Sequence, residues 1–125
     1  MSGKLQAEIK QAKPFARLEE EAFVNLIRTA DRLMSAQAQL MKGWDLSPTQ
    51  YNVLRILRGS GPDGLCCGEV GERLITRDPD ITRLLDRMEA RGLVTRARDR
   101  KDRRVITVRI TDEGLRILDD MQPAL

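Results

Sequence analysis

The stretch Ile81-Thr82-Arg83-Leu84-Leu85-Asp86-Arg87-Met88-Glu89-Ala90-Arg91-Gly92 decides the fold. Ile81, Leu84, Leu85 and Met88 recur at helical spacing and form one inward stripe, while Thr82, Arg83, Asp86, Arg87 and Glu89 occupy the remaining faces. Upstream, Arg77-Asp78-Pro79 restarts the chain, with Asp78 read as the N-cap and Pro79 as a first-turn residue. Arg91-Gly92 closes the helix with glycine where a left-handed cap is needed. The period then changes. Leu93-Val94-Thr95 is extended, and Val105-Ile106-Thr107-Val108-Arg109-Ile110 is β-branched and strand-like. Between them lies Arg96-Ala97-Arg98-Asp99-Arg100-Lys101-Asp102-Arg103-Arg104, a charged tip joining two strands into a hairpin.

Working backwards, Cys67 to Leu74 reads as a short helix burying Val70 and Leu74, and Gly59 to Gly64 as a loop. Ser47-Pro48-Thr49-Gln50 carries an N-cap, a first-turn proline and the acceptor of a capping box, ahead of an apolar stripe at Val53, Leu54, Ile56 and Leu57. From Arg17 to Met41 a long helix has apolar residues on more than one side, which suits a second face for a partner subunit. Met1 to Lys13 is polar with scattered apolar positions and is expected to be partly mobile. Forwards, Thr111-Asp112-Glu113-Gly114 caps a last helix carrying Leu115, Ile117, Leu118 and Met121.

A short helix, a tight turn, a second helix with basic outer faces and then a basic hairpin is the order of a winged helix-turn-helix. The fold expected is mostly α with a small β-hairpin and flanking N- and C-terminal dimerisation helices. The expected divisions are 1–44 for the N-terminal segment and dimerisation helix, 45–110 for the winged helix-turn-helix, and 111–125 for the truncated start of a C-terminal dimerisation helix. A helix fits the B-DNA major groove with its N-terminal residues near base edges, and arginines on an adjacent hairpin suit the negative potential of the minor groove.

Charge supports that partner. Of 22 Lys/Arg and 19 Asp/Glu in the 125 residues, 11 and 6 fall between Arg77 and Arg109, so this stretch carries +5 and the remainder −2. The chain has no histidine, which removes the usual general base and the commonest zinc ligand. Gly61 and Gly64 lack a following Lys-Ser/Thr, so no phosphate-cradling loop is present. No enzyme activity, cofactor or metal is expected. Aromatics make up only 3% of the chain, too few for base stacking on single strands. No apolar run matches a membrane span or a signal peptide, so a cytoplasmic protein is expected.

The stretch Leu46-Ser47-Pro48-Thr49-Gln50-Tyr51-Asn52-Val53-Leu54, the run Ile81 to Val94, and Asp102-Arg103-Arg104 followed by Ile110-Thr111 together resemble the MarR (multiple antibiotic resistance regulator) transcription factors. The resemblance covers about Leu46 to Leu118. It implies a homodimer, triangular in outline, with interleaved terminal helices, binding a palindromic operator in duplex DNA. Family members mostly repress genes, and many release DNA on sensing a small aromatic ligand or an oxidant. By the same resemblance, Thr82, Arg83 and Arg87 fall on the recognition helix and Arg104 on the wing, with Asp102 as the wing carboxylate that orients neighbouring arginines. The family's last helix usually continues well beyond Pro123-Ala124-Leu125.

The DNA-contacting candidates are therefore Arg77, Asp80, Thr82, Arg83, Arg87, Arg98, Arg100, Lys101, Asp102, Arg103 and Arg104. Asp80 has two readings: an acceptor for cytosine N4, or a carboxylate favouring the helix dipole. Trp44 and Tyr51 either line a ligand pocket or pack in the core. Cys66 and Cys67 are adjacent, so they cannot staple distant segments, which fits a reducing compartment. Cys66 precedes a helix with Glu69 where a capping box places its acid. It is either an oxidant sensor or a small half-buried residue. The competing function is a winged-helix protein-interaction module without DNA binding, which calls for an apolar or acidic outer face.

Overall fold

A computed structural model describes residues 3–124 of the chain, so Met1, Ser2 and Leu125 lie outside the described residues. Two compact units divide between Gln37 and Ala38.

The first unit contains α1 (Gly3–Glu8) and most of α2 (Leu18–Met41). The opening segment thus includes a helix where the sequence suggests mobility. Its end is tied by Glu8, whose carboxylate lies 3.5 Å from Arg28 Nε and 3.8 Å from Arg32 Nη1. A six-residue helix with no charged capping residues in its end turns leaves too weak a local signal to read. On α2, the apolar side chains Leu18, Phe23, Leu26, Ile27, Leu33 and Met34 are all exposed, from 46% to 78%.

The second unit holds the winged helix. After a 3-10 turn (Lys42–Trp44), α3 (Pro48–Ser60) begins with the expected capping box: Gln50 N donates to Ser47 Oγ at 3.1 Å and Ser47 N to Gln50 Oε1 at 3.0 Å. Its Val53, Leu54 and Leu57 are fully buried against Val70, Leu85, Met88, Val108 and Met121. A two-residue strand, β1 (Leu65–Cys66), then leads directly into α4 (Cys67–Arg73). Two residues carry no alternation, so this strand leaves no sequence signal. It exists because Leu65 and Cys66 pair antiparallel with Val108 and Thr107.

The recognition helix, α5, spans Ile81–Ala90. Its start differs from the expected one. Asp80, not Asp78, is the N-cap, accepting from Arg83 N at 3.0 Å, and Pro79 lies outside the helix. Asp78 Oδ1 instead accepts from Asp80 N at 2.8 Å. An aspartate bonding the N–H two residues on forms a turn of its own, which delivers Asp80 to the cap. The helix ends as expected, with Gly92 at φ 73°, its N–H on Glu89 O at 2.9 Å, and Leu93 N on Met88 O at 3.0 Å.

The hairpin of β2 (Val94–Arg98) and β3 (Ile106–Ile110) pairs from Val94↔Ile110 to Arg98↔Ile106, giving a sheet ordered β1-β3-β2. Thr111 then caps α6 (Asp112–Met121). Its Oγ1 accepts from Gly114 N at 3.1 Å and donates to the carbonyls of Gly92 (2.6 Å) and Leu93 (3.0 Å). One hydroxyl thereby ties the end of α5 to the start of α6. Thr111→Val, which keeps the shape and deletes the hydroxyl, is expected to lower stability by about 1–2 kcal/mol, read as a lower urea midpoint at unchanged slope.

Candidate nucleic-acid interface

On α5, Thr82, Arg83 and Arg87 are exposed, and the inward stripe of Leu84, Leu85 and Met88 fixes which way they face. Arg77 is exposed on the turn that precedes the helix. Among the described residues, Arg77, Arg83, Arg87, Arg98, Arg100, Lys101 and Arg103 form no ion pair. Arg98 Nη1 donates to Arg103 O at 2.7 Å, inside the hairpin tip. A shallow groove of about 210 Å³ runs past Asp78, Asp80, Arg83, Leu84 and Arg87. One Asp80 oxygen is committed to the Arg83 amide, which is the dipole-side reading of this residue.

At the wing, the carboxylate of Asp102 receives three bonds from Arg104: N at 3.0 Å and Nε at 3.2 Å on Oδ1, and Nη2 at 3.4 Å on Oδ2. These bonds hold the Asp102 carboxyl below its ordinary range. The Arg104 side chain nonetheless stays 91% exposed, so its guanidinium is aimed without being covered. Asp99 accepts from Lys101 N at 2.7 Å and closes the tip.

Trp44 and Tyr51 are half-buried and pack against the core of the second unit. A cavity of about 680 Å³ lies nearby, but its lining is Ala38, Lys42, Asp45, Leu46, Ser47, Pro48, Gln50, Arg87, Ala90 and Arg91. Cys66 makes no capping bond through its side chain, and Glu69 pairs with Arg73 at 2.8 Å instead of completing a capping box. Burial pushes the Cys67 thiol up, more than nearby Arg96 draws it down. No lowered thiol supports the sensor reading at Cys67.

Three residues that sequence patterning does not single out shape this surface. Arg96 reads as part of the wing tip, yet it stands in β2, with its side chain only 18% exposed, bonded to Asp86 and Glu89 of α5. Its place on the inner face follows from alternation with buried Val94, a signal present in the sequence. Arg91 donates to the carbonyls of Asp45 and, at 3.1 Å, Trp44, and Asn52 Oδ1 accepts from Ile75 N at 2.8 Å. Both link segments 23 to 47 residues apart, which spacing along the chain does not reveal.

The Arg96 contacts hold the Glu89 carboxyl below its ordinary value of 4.5, and Arg116 does the same for Glu113. Carboxyls that titrate lower in the fold than in the unfolded chain contribute fully above the unfolded value and lose that contribution as pH falls through the folded one. The melting temperature is therefore expected to be level above about pH 5 and to fall below about pH 4, with Glu89→Gln making the fall shallower. Thermal melts across that range check this.

Residues 44–105 match the model of the MarR family. A solved MarR transcription factor from Planctomyces limnophilus is 42% identical and superposes with a TM-score of 0.76, covering 88% of this chain and 79% of that one. This chain belongs to the MarR family. Among other MarR relatives, the transcriptional repressor IacR of Pseudomonas putida is 34% identical over 85% of this chain and 62% of its own length. CouR of Rhodococcus jostii RHA1, solved with p-coumaroyl-CoA bound, is 29% identical with a TM-score of 0.72, over 87% and 76% of the two chains. The chain spans 40% to 72% of the length of the curated relatives it matches first. These are regulators of transcription, and within this MarR chain the residues matched by the family model run from Trp44 to Val105, from the α2–α3 turn to the end of the wing tip. Among the described residues no helix is long and apolar enough to cross a membrane.

Proposed function

We propose that this chain regulates transcription, as a repressor, by binding a palindromic operator in duplex DNA as a homodimer. Helix α5 enters the major groove with Thr82, Arg83 and Arg87, and the wing lays Arg104 against the flanking minor groove. Arg77, Arg98, Arg100, Lys101 and Arg103 contact phosphates around these two anchors. The observation that carries this reading is the wing: a fully exposed Arg104 fork aligned by Asp102, beside a helix whose Arg83 and Arg87 form no ion pair among the described residues. A cationic outer face of this kind argues against a protein-interaction module.

The homodimer reading rests on the exposed apolar positions of α2, an area larger than a soluble surface normally leaves open. Residues 1–44 would supply one dimerisation helix, 45–110 the DNA-binding part, and 111–125 the start of the second dimerisation segment. A small aromatic ligand with an anionic group suits the cavity beside Lys42, Arg87 and Arg91, whose other walls include Leu46, Pro48 and Ala90. Trp44 and Tyr51 would act there from behind the lining. A redox role for Cys66 or Cys67 has no activating contact in its favour.

Selection from a random duplex library, followed by footprinting of the winning sequence, tests the reading. An inverted repeat protected symmetrically, with half-sites about one helical turn apart, is the expected result. Recovery of no enriched sequence by a folded dimer would contradict it.

A further inference from the structure

Strand β2 connects the body of the winged helix to the wing tip, and one of its side chains turns back onto the recognition helix. Arg96 donates from its backbone N to Glu89 Oε2 at 3.1 Å, and from Nε (3.2 Å) and Nη2 (2.9 Å) to Glu89 Oε1. The same Nη2 reaches Asp86 Oδ1. Asp86 and Glu89 are three apart, so they share one flank of α5, whereas Arg83 and Arg87 are four apart on another. Across the sheet, Arg96 is registered opposite Val108 of β3, which is completely buried. The neighbours Thr95, Ala97 and Arg98 are exposed. Arg96 is thus the β2 side chain that fastens the wing to the helix, with a planar fork that fixes direction as well as distance.

Two consequences follow for a polyanion laid across both elements. The angle at which β2 leaves α5 sets how far Arg104 stands from Arg83, and that separation must match the step from one groove to the next. Arg96 also neutralises two carboxylates on the helix flank, which would otherwise repel phosphates. We infer that Arg96 is a positioning residue for DNA recognition, latching the wing to the recognition helix so that Arg104 and Arg83 engage one duplex together. The inference rests on the DNA reading above.

A double-mutant cycle on duplex affinity tests it, with Arg104→Ala and Arg83→Ala each measured in wild-type and Arg96→Met backgrounds. In the wild type, Arg104→Ala is expected to weaken binding by about ten- to a hundredfold. In the Arg96→Met background the same change should weaken it less than about threefold, because the unlatched wing no longer presents Arg104 in register. The factor for Arg83→Ala should be the same in both, since that side chain rides on α5 itself. A purely structural Arg96 would lower the melting temperature and leave the Arg104 factor intact in both backgrounds, and that additivity overturns the latch. If Arg96→Met does not fold, Arg96→Lys, which keeps the charge without the fork, takes its place in the cycle. An Arg104 factor below half the wild-type one then supports the latch, and the full factor overturns it. A wild type that binds no duplex removes the DNA reading and the latch together, whereas binding with additivity removes only the latch.

Discussion

Gly64→Ala is expected to destabilise the protein by about 3–5 kcal/mol, at the upper end of what single substitutions do. Gly64 sits at φ 75°, immediately before β1, and a Cβ there would lie 2.2 Å from Val108 O and 2.7 Å from Arg109 Cγ. The first of these is backbone in the middle of the sheet, at the residue that pairs with both Leu65 and Arg96. Val108 cannot retreat, because its side chain is completely buried. Relief must come from pulling β1 off β3, which would loosen the entry to α4. Gly92 provides the contrast. It has a similar φ of 73°, but a Cβ added there would meet nothing within 4 Å, so Gly92→Ala should lose only about 1 kcal/mol from conformation alone. Urea titrations of the two variants separate close approach from backbone preference. A Gly64→Ala loss as small as that of Gly92→Ala would mean that β1 does not pair with β3 as described.

The largest functional effect is expected from removing both groove anchors. Arg83→Ala and Arg104→Ala should each weaken duplex binding by about ten- to a hundredfold at moderate salt, and together by about a thousandfold or more. The size comes from counting: in a dimer each substitution removes its contact twice, and a lost arginine contact is worth about 1–3 kcal/mol where it reaches a base. Arg83 has no ion pair among the described residues to compensate, and Arg104 is already oriented by Asp102, so little ordering is lost on binding. Arg116→Gln removes the same charge from α6, where the guanidinium is held by Glu113 and Asp120. It should change affinity little. Anisotropy titrations of the wild type and these variants against one duplex make the comparison.

Where local chemistry dictates the outcome, the sequence is enough. The stripe Ile81, Leu84, Leu85 and Met88, the Gly92 terminus, the Ser47–Gln50 capping box and the two β-branched strands each follow from spacing within a few residues. The start of α5 is harder to read because two aspartates compete for one role two residues apart. Only the turn made by Asp78 decides that Asp80 caps. Strand β1 is invisible in the sequence because two residues have no period, and their pairing depends on the distant Thr107 and Val108. The candidate surface is legible as a set of cations, since charge patterning is local. Which cation is spent internally is not. Arg96 looks like its neighbours in the tip until the register of β2 and the flank of α5 bring it to Asp86 and Glu89.

The central claim is that α5 and the wing together hold duplex DNA, and its most direct test is the salt dependence of wild-type affinity. The protein is titrated against a random-sequence duplex, and against a single strand of equal length, across a series of salt concentrations. Predicted is a linear fall of log affinity with log salt on the duplex, with a slope of about −5 or steeper, and markedly weaker binding to the single strand. A duplex affinity that does not change with salt, or none at low salt from a folded dimer, would contradict the account.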